Sequence, residues 1–247
     1  MTFKQTQETL SNYTTHDTFI KSILEKGIHY YTNDSLGLTI LKYSKKHPEC
    51  NLEDPLTMKC RGLVVETATR KIVSVPPEKS YRFECFSSYV HNWNDVIVEE
   101  FVDGTMINVF WEKANKRWQY ATRSNIGADI RFYIQNEGKK TFRTMFDEAL
   151  VHDKVCLDVL PKSMCYTFVL QHPENRIVAP VSVPHVVLVE AHEITDKIIT
   201  IYPHGSSDAD KDLRAIIDQY DIPIPQRYAY TNHKQARDAH ASRNTDF

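Results

Sequence analysis

Five short stretches hold the residue types that phosphate chemistry needs. Lys59-Cys60-Arg61-Gly62 opens an apolar run, and Pro76-Pro77-Glu78-Lys79 follows it closely. Phe101-Val102-Asp103-Gly104-Thr105-Met106 is the third, Tyr120-Ala121-Thr122-Arg123-Ser124-Asn125 the fourth, and Phe168–Val178, with Asn175-Arg176 inside it, the fifth. Arginine and lysine stabilise charge that builds on phosphate oxygens, and an Asp-Gly pair lets the backbone turn close to a ligand. Taken singly, each stretch has an ordinary explanation. Arg61 and Arg123 suit any exposed strand end, Asp103-Gly104 suits a simple turn, and Asn175-Arg176 suits a local cap.

These residues need elements to position them. Thr15-His16-Asp17 precedes Phe19, Ile20, Ile23 and Leu24 at helical spacing. Residues 38–45 read as a strand, and 62–67 with 72–75 as a β-hairpin rich in β-branched residues. The segment 96–110 reads as a strand, an Asp-Gly turn and a second strand, and Ala114–Arg117 as a further hairpin turn. A helix is expected from Thr141, with Phe142, Met145, Phe146, Ala149 and Leu150 on one face. Strands at 165–171, 186–194 and 197–202 and a helix at 209–220 complete the pattern. Strands arriving mostly as hairpins with helices between them give an α+β class built on antiparallel sheets.

Composition excludes several classes. Thirty basic residues stand against 32 acidic ones, so no global field draws nucleic acid and any such contact needs a local basic patch. With 7 glycines, the chain has no phosphate loop of the P-loop or Rossmann kind. Five cysteines without zinc spacing read as buried thiols of a reducing compartment. His185 and His192 lack sequential ligand spacing and read as surface residues. The polar start and the lack of a long apolar run give the expectation of a soluble, cytoplasmic protein without a membrane span.

The five stretches, in this order and with these apolar flanks, resemble the motifs of the phage-type RNA ligase 1 family, within the covalent nucleotidyltransferases. The resemblance runs over roughly residues 40–205. It implies the adenylation-domain fold, ATP and Mg2+ as cofactors, and RNA 5′-phosphate and 3′-hydroxyl ends as partners. In such enzymes a lysine amine attacks the α-phosphate of ATP to give a lysyl-AMP intermediate. Carried over residue by residue, the resemblance assigns nucleotide or phosphate binding to Arg61, Lys79, Asp103, Gly104, Arg123, Asn175 and Arg176. It also implies a virus-encoded chain.

Departures from the pattern are as informative. Phe101 stands at the nucleophile position, and a phenyl ring forms no phosphoramidate. Lys113 and Lys116 lie beside a hairpin turn, and Lys59 and Lys79 already match other motifs. The family's acidic residue before Asn175 falls at Val169, with uncharged Gln171 the nearest polar candidate. The Glu-Gly strand and Lys-x-Lys pair that close the family's site find no match in the last residues. Residues 1–247 therefore read as a single adenylation domain lacking that strand and any C-terminal domain, a pseudoenzyme unable to self-adenylate. Two alternatives stay open: half of a split ligase acting with a complementing chain, or an interaction module whose old cleft Phe101 fills.

Overall fold

The computed structural model describes residues 3–13, 15–131, 140–175, 180–195, 198–203 and 208–241. In chain order the elements are α1 (Phe3–Ser11), α2 (His16–Glu25), β1 (Ile28–Asn33), β2 (Leu38–Tyr43), α3 (Pro55–Lys59), β3 (Arg61–Glu66) and β4 (Ile72–Ser74). Then come α4 (Phe83–Tyr89), β5 (Val98–Glu99), β6 (Thr105–Glu112), β7 (Arg117–Ala121), α5 (Phe142–His152) and β8 (Met164–Gln171). The chain continues through β9 (His185–Ile194), β10 (Ile198–Tyr202), α6 (Asp208–Gln219), β11 (Arg227–Tyr228) and α7 (His233–Ala241). The α+β expectation holds.

Two compact units emerge. The larger comprises residues 1–79 and 103–223, the smaller residues 80–102 and 224–247. In the larger unit, β1-β2-β3-β4 form one antiparallel sheet and β10-β9-β8-β6-β7 another. Side chains alternate across a strand, and both faces of the five-stranded sheet are buried. Ile107, Val109, Tyr166 and Phe168 join α5 and α6 in one core. Phe110 and Cys165, from the opposite face, join Ile40, Leu63, Val65 and Phe19 in the other.

Local chemistry explains the principal helices. Thr15 accepts from the Thr18 amide in a capping box at the start of α2. Thr141 caps α5 in the same way through Thr144. The face expected from the sequence, Phe142, Met145, Phe146, Ala149 and Leu150, is the buried one. Phe146 meets Tyr120 and Phe168 edge-on, with centroids 5.0 and 5.8 Å away. The Pro-containing connection before Arg61 contains a helix the apolar pattern is too short to show. There the Asp54 carboxylate accepts from the Thr57 amide, with Pro55 in the first turn of α3.

The smaller unit holds a correction. The segment 96–110 is not a strand-turn-strand hairpin: β5 pairs with β11, and β6 begins only at Thr105. The reason is that β7 and β8 occupy both edges of β6, leaving no ladder for residues 96–100. Arg227 adds an ion pair to Glu99 at 2.8 Å across β11 and β5. Phe101 is 91 % exposed. No helix among the described residues is long and apolar enough to cross a membrane.

The expectation of buried thiols holds for Cys60 and Cys165 only; Cys85 and Cys156 are exposed and Cys50 is half-buried. Burial pushes the Cys165 thiol up to about 12 and raises that of Cys60 as well. Brief treatment of the native protein with iodoacetamide should therefore modify Cys85 and Cys156 and spare Cys60 and Cys165. Peptide mapping by mass spectrometry reads the pattern, and rapid labelling of Cys165 would contradict the packing of the two sheets.

Candidate phosphate-binding site

Strand register places the site residues of the larger unit. Thr105 at the start of β6 lies opposite Leu170 near the end of β8, and Asn108 lies opposite Ala121 near the end of β7. The start of β6, the end of β8 and the loop after β7 thus share one end of the sheet. The five motifs meet there or beside it in two groups.

The first pair joins the Cys-Arg-Gly and Pro-Pro-Glu-Lys stretches. Lys59 forms an ion pair with Glu78, and Arg61 Nη1 donates to the Glu78 carbonyl at 2.9 Å. Lys79 donates its backbone amide to Met58 at 3.4 Å and is half-buried. Arg61 Nε is buried without a hydrogen-bond partner among the described residues, an arrangement that costs stability unless a ligand or water completes it.

The basic loop closes on the same stretch. Thr122 donates to the Asn125 carbonyl at 2.9 Å and Ala121 bridges to Ile126, so residues 122–125 turn tightly. Arg123 Nη2 donates to the Tyr43 carbonyl at 3.1 Å, and its guanidinium lies over the Tyr43 ring at 4.5 Å. Gly62 has φ +114, and a Cβ there would stand 3.1 Å from Arg123 Cα. Both the backbone conformation and the close approach require glycine. This explains the Arg-Gly pair: Gly62 lets β3 begin against the Arg123 loop.

Lys42 belongs to this cluster although no motif marks it. It pairs with Arg61 across β2 and β3. Burial lowers its pKa, and the Arg123 charge lowers it further. Two cations held in each other's field favour an anion between them. The signal for Lys42 was its register, which no linear motif encodes.

The second meeting joins the Asp-Gly and Asn-Arg stretches. Gln171 Nε2 donates to the Asp103 carbonyl at 2.8 Å, and Asn175 Nδ2 donates to Thr105 Oγ1 at 2.8 Å. A Cβ on Gly104 would lie 2.5 Å from the Leu170 carbonyl oxygen and 2.6 Å from Val169 Cγ1. Gly104 is required by the contact of β6 with β8. Asp103 is half-buried. Arg176 lies outside the described residues.

Between the sheets, polar residues replace the apolar core in one row. Asn108, Thr167 and Glu190 are register partners on β6, β8 and β9. Thr167 donates to Asn108 Oδ1 at 2.9 Å, while Asn108 Nδ2 is buried without a hydrogen-bond partner among the described residues. His192, buried rather than on the surface as expected, stands 3.1 Å from Glu190. Desolvation lowers the Lys59 pKa to about 8 despite the Glu190 charge.

Val169, where the resemblance places the metal-side acid, has no side-chain oxygen, while Gln171 donates its amide nitrogen to Asp103 and keeps its side-chain oxygen. Hard Mg2+ takes carboxylate oxygens, so the Val169 side chain gives it nothing to hold. A cavity of about 680 Å³ opens instead at the far end of the sheets, lined by Leu38, Ile72, Trp111 and Met164 among others. None of the site residues expected from the sequence lines it.

No family model matches the chain. It is 21% identical over 217 residues to an RNA ligase of Rhodothermus phage RM378, an alignment covering 76% of this chain and 48% of the relative. Among solved structures, an archaeal ATP-dependent RNA ligase (form 2) superposes with a TM-score of 0.52 at 14% identity, covering 90% of this chain and 52% of that one. Form 1 gives a TM-score of 0.48 at 12% identity, covering 86% and 50%. The chain has the RNA-ligase-type nucleotidyltransferase fold, as the motifs imply. It spans about half the length of the relatives it matches.

Lys59 supplies a test of this geometry. Its folded pKa of about 8 lies below its ordinary 10.5, so between those values the unfolded chain holds a proton that the folded chain has released. Stability contributed through Lys59 should therefore rise with pH across that window, by at most about 1.4 kcal/mol per pH unit. Urea titrations at pH 7.5 and 9.5 should show a larger gain for the wild type than for Lys59→Met. Equal gains would place Lys59 in water.

Proposed function

We propose that this chain is an RNA-ligase-like nucleotidyltransferase domain that binds nucleotide or RNA 5′-phosphate ends without forming lysyl-AMP. The observation that carries the reading is Lys42, register partner of Arg61 and within the field of Arg123, beside the unsatisfied Arg61 Nε. A phosphate would neutralise the two cations and accept from the guanidinium in charge-assisted hydrogen bonds. Support comes from the fold and from the names of two similar proteins, a phage RNA ligase and an archaeal ATP-dependent RNA ligase (form 2).

Self-adenylation needs an amine in line with the α-phosphate, and attack tolerates little misplacement. Phe101 offers no amine, and Val169 offers no carboxylate to the developing charge. What remains is recognition: Arg61, Lys42 and Arg123 take phosphate oxygens, while Asn108 Nδ2 donates to a base or ribose between the sheets. The parent chemistry, ATP-dependent joining of RNA ends, belongs to the relatives.

Calorimetric titration with ATP, and separately with a 5′-phosphorylated RNA oligonucleotide, tests the reading. Arg123→Ala and Lys42→Ala should each weaken binding by about tenfold, as expected for a lost hydrogen bond to a charged group. Binding should also weaken steeply with salt. After incubation with ATP labelled on the α-phosphate and with Mg2+, the denatured chain should carry no label. Covalent label, or affinities indifferent to both substitutions, would defeat the proposal.

A further inference from the structure

On the face of the five-stranded sheet that carries α5, three potential ligands converge at the join between α5 and β9. His152 ends α5, Asp153 is its C-cap, and His185 begins β9. His152 Nδ1 lies 2.9 Å from Asp153 Oδ1, and His185 Nδ1 lies 2.8 Å from the same oxygen. All three ligand atoms lie within 4.8 Å of one another. We propose that His152, Asp153 and His185 form a binding site for a divalent transition-metal ion of the zinc type. The site is independent of the phosphate-binding reading.

Four features carry the proposal. First, the carboxylate is pre-oriented: Asp153 Oδ2 accepts from the Val186 amide at 2.8 Å, which turns Oδ1 toward both imidazoles. Its side chain is only 7% exposed. Second, the carboxylate sits at a helix C-terminus, its amide donating to the Ala149 carbonyl. That end carries the negative pole of the helix dipole and favours a cation over an anion. A divalent ion there offsets the charge of Asp153.

Third, the geometry can open to metal distances. Zinc bonds of about 2.0–2.2 Å in a tetrahedral shell set neighbouring ligands about 3.3 Å apart. The imidazoles would withdraw by about half an ångström from where they touch Asp153, and the ring nitrogens, within 4.8 Å of each other, would adjust to the same spacing. Both are 41% exposed and have room to do so. Each neutral ring then carries its proton on Nε2 instead of Nδ1, with the fourth position left to water. Fourth, two nitrogen donors with one carboxylate suit zinc, copper or nickel and disfavour Mg2+ and Ca2+, which take oxygen ligands.

The histidines are 33 residues apart in the sequence and are brought together by the docking of α5 on β9, so the ion would tie helix to sheet. The test uses the whole chain, stripped of metal with a chelator and titrated calorimetrically with Zn2+. Visible absorption after Co2+ addition reports nitrogen-oxygen ligation independently. One equivalent should bind, and His152→Ala and His185→Ala should each weaken it at least tenfold. Circular dichroism confirms that these surface variants fold. Failure of the wild type to take up one equivalent would overturn the site. So would equal uptake by the His152→Ala, His185→Ala double variant, which would assign the metal to other residues.

Discussion

The structure depends on the fully used environment of β6. Both edges of this strand are hydrogen-bonded, to β7 and to β8, and both faces are covered. Ile107 and Val109 pack toward α5, while Asn108 and Phe110 face the first sheet. A strand with no free edge or face tolerates no slip, because a shift of one residue would exchange its two side-chain sets. The Asp-Gly stretch at its start is consequently held in one place. Gly104 is pressed against the Leu170 carbonyl, and Asp103 is tied to Gln171.

That rigidity organises the candidate site. Antiparallel pairing brings the start of β6, the end of β8 and the loop after β7 to one end, and Gly62 lets β3 approach the same loop. The result is a site whose inner side is polar where a core would ordinarily be apolar. Lys59, Asn108, Thr167 and His192 are all buried. Buried polar groups lower stability unless satisfied, and proteins that retain them commonly do so for a ligand or a network. Here Glu78 and Glu190 supply part of the network, and Arg61 Nε and Asn108 Nδ2 mark what is left open.

The two histidine clusters show how the same residue type takes opposite roles. His172 is buried, donating from Nε2 to Glu148 at 3.0 Å and accepting from the Glu174 amide on Nδ1. Both of its nitrogens are occupied, so it is a fixed strut at the end of β8. His152 and His185 are half-exposed and share a single carboxylate. The difference lies in burial and partner number, which residue identity alone does not carry.

Much of the fold was legible along the chain. The apolar face of α5, the hairpin of β3 and β4, and the three later strands follow from periodicity and caps, because those interactions are local. The order of the five motifs pointed to the right fold for the same reason: each is a short run whose flanks are its own strand. Tertiary structure alone decided the rest. It paired β5 with β11 instead of β6, because the edges of β6 were taken. It placed Lys42 beside Arg123, buried His192, and joined His152 to His185, since register and docking act between residues distant in sequence. The sequence by itself determined which residues could do chemistry; long-range packing, whose geometry no local pattern contains, determined which of them meet.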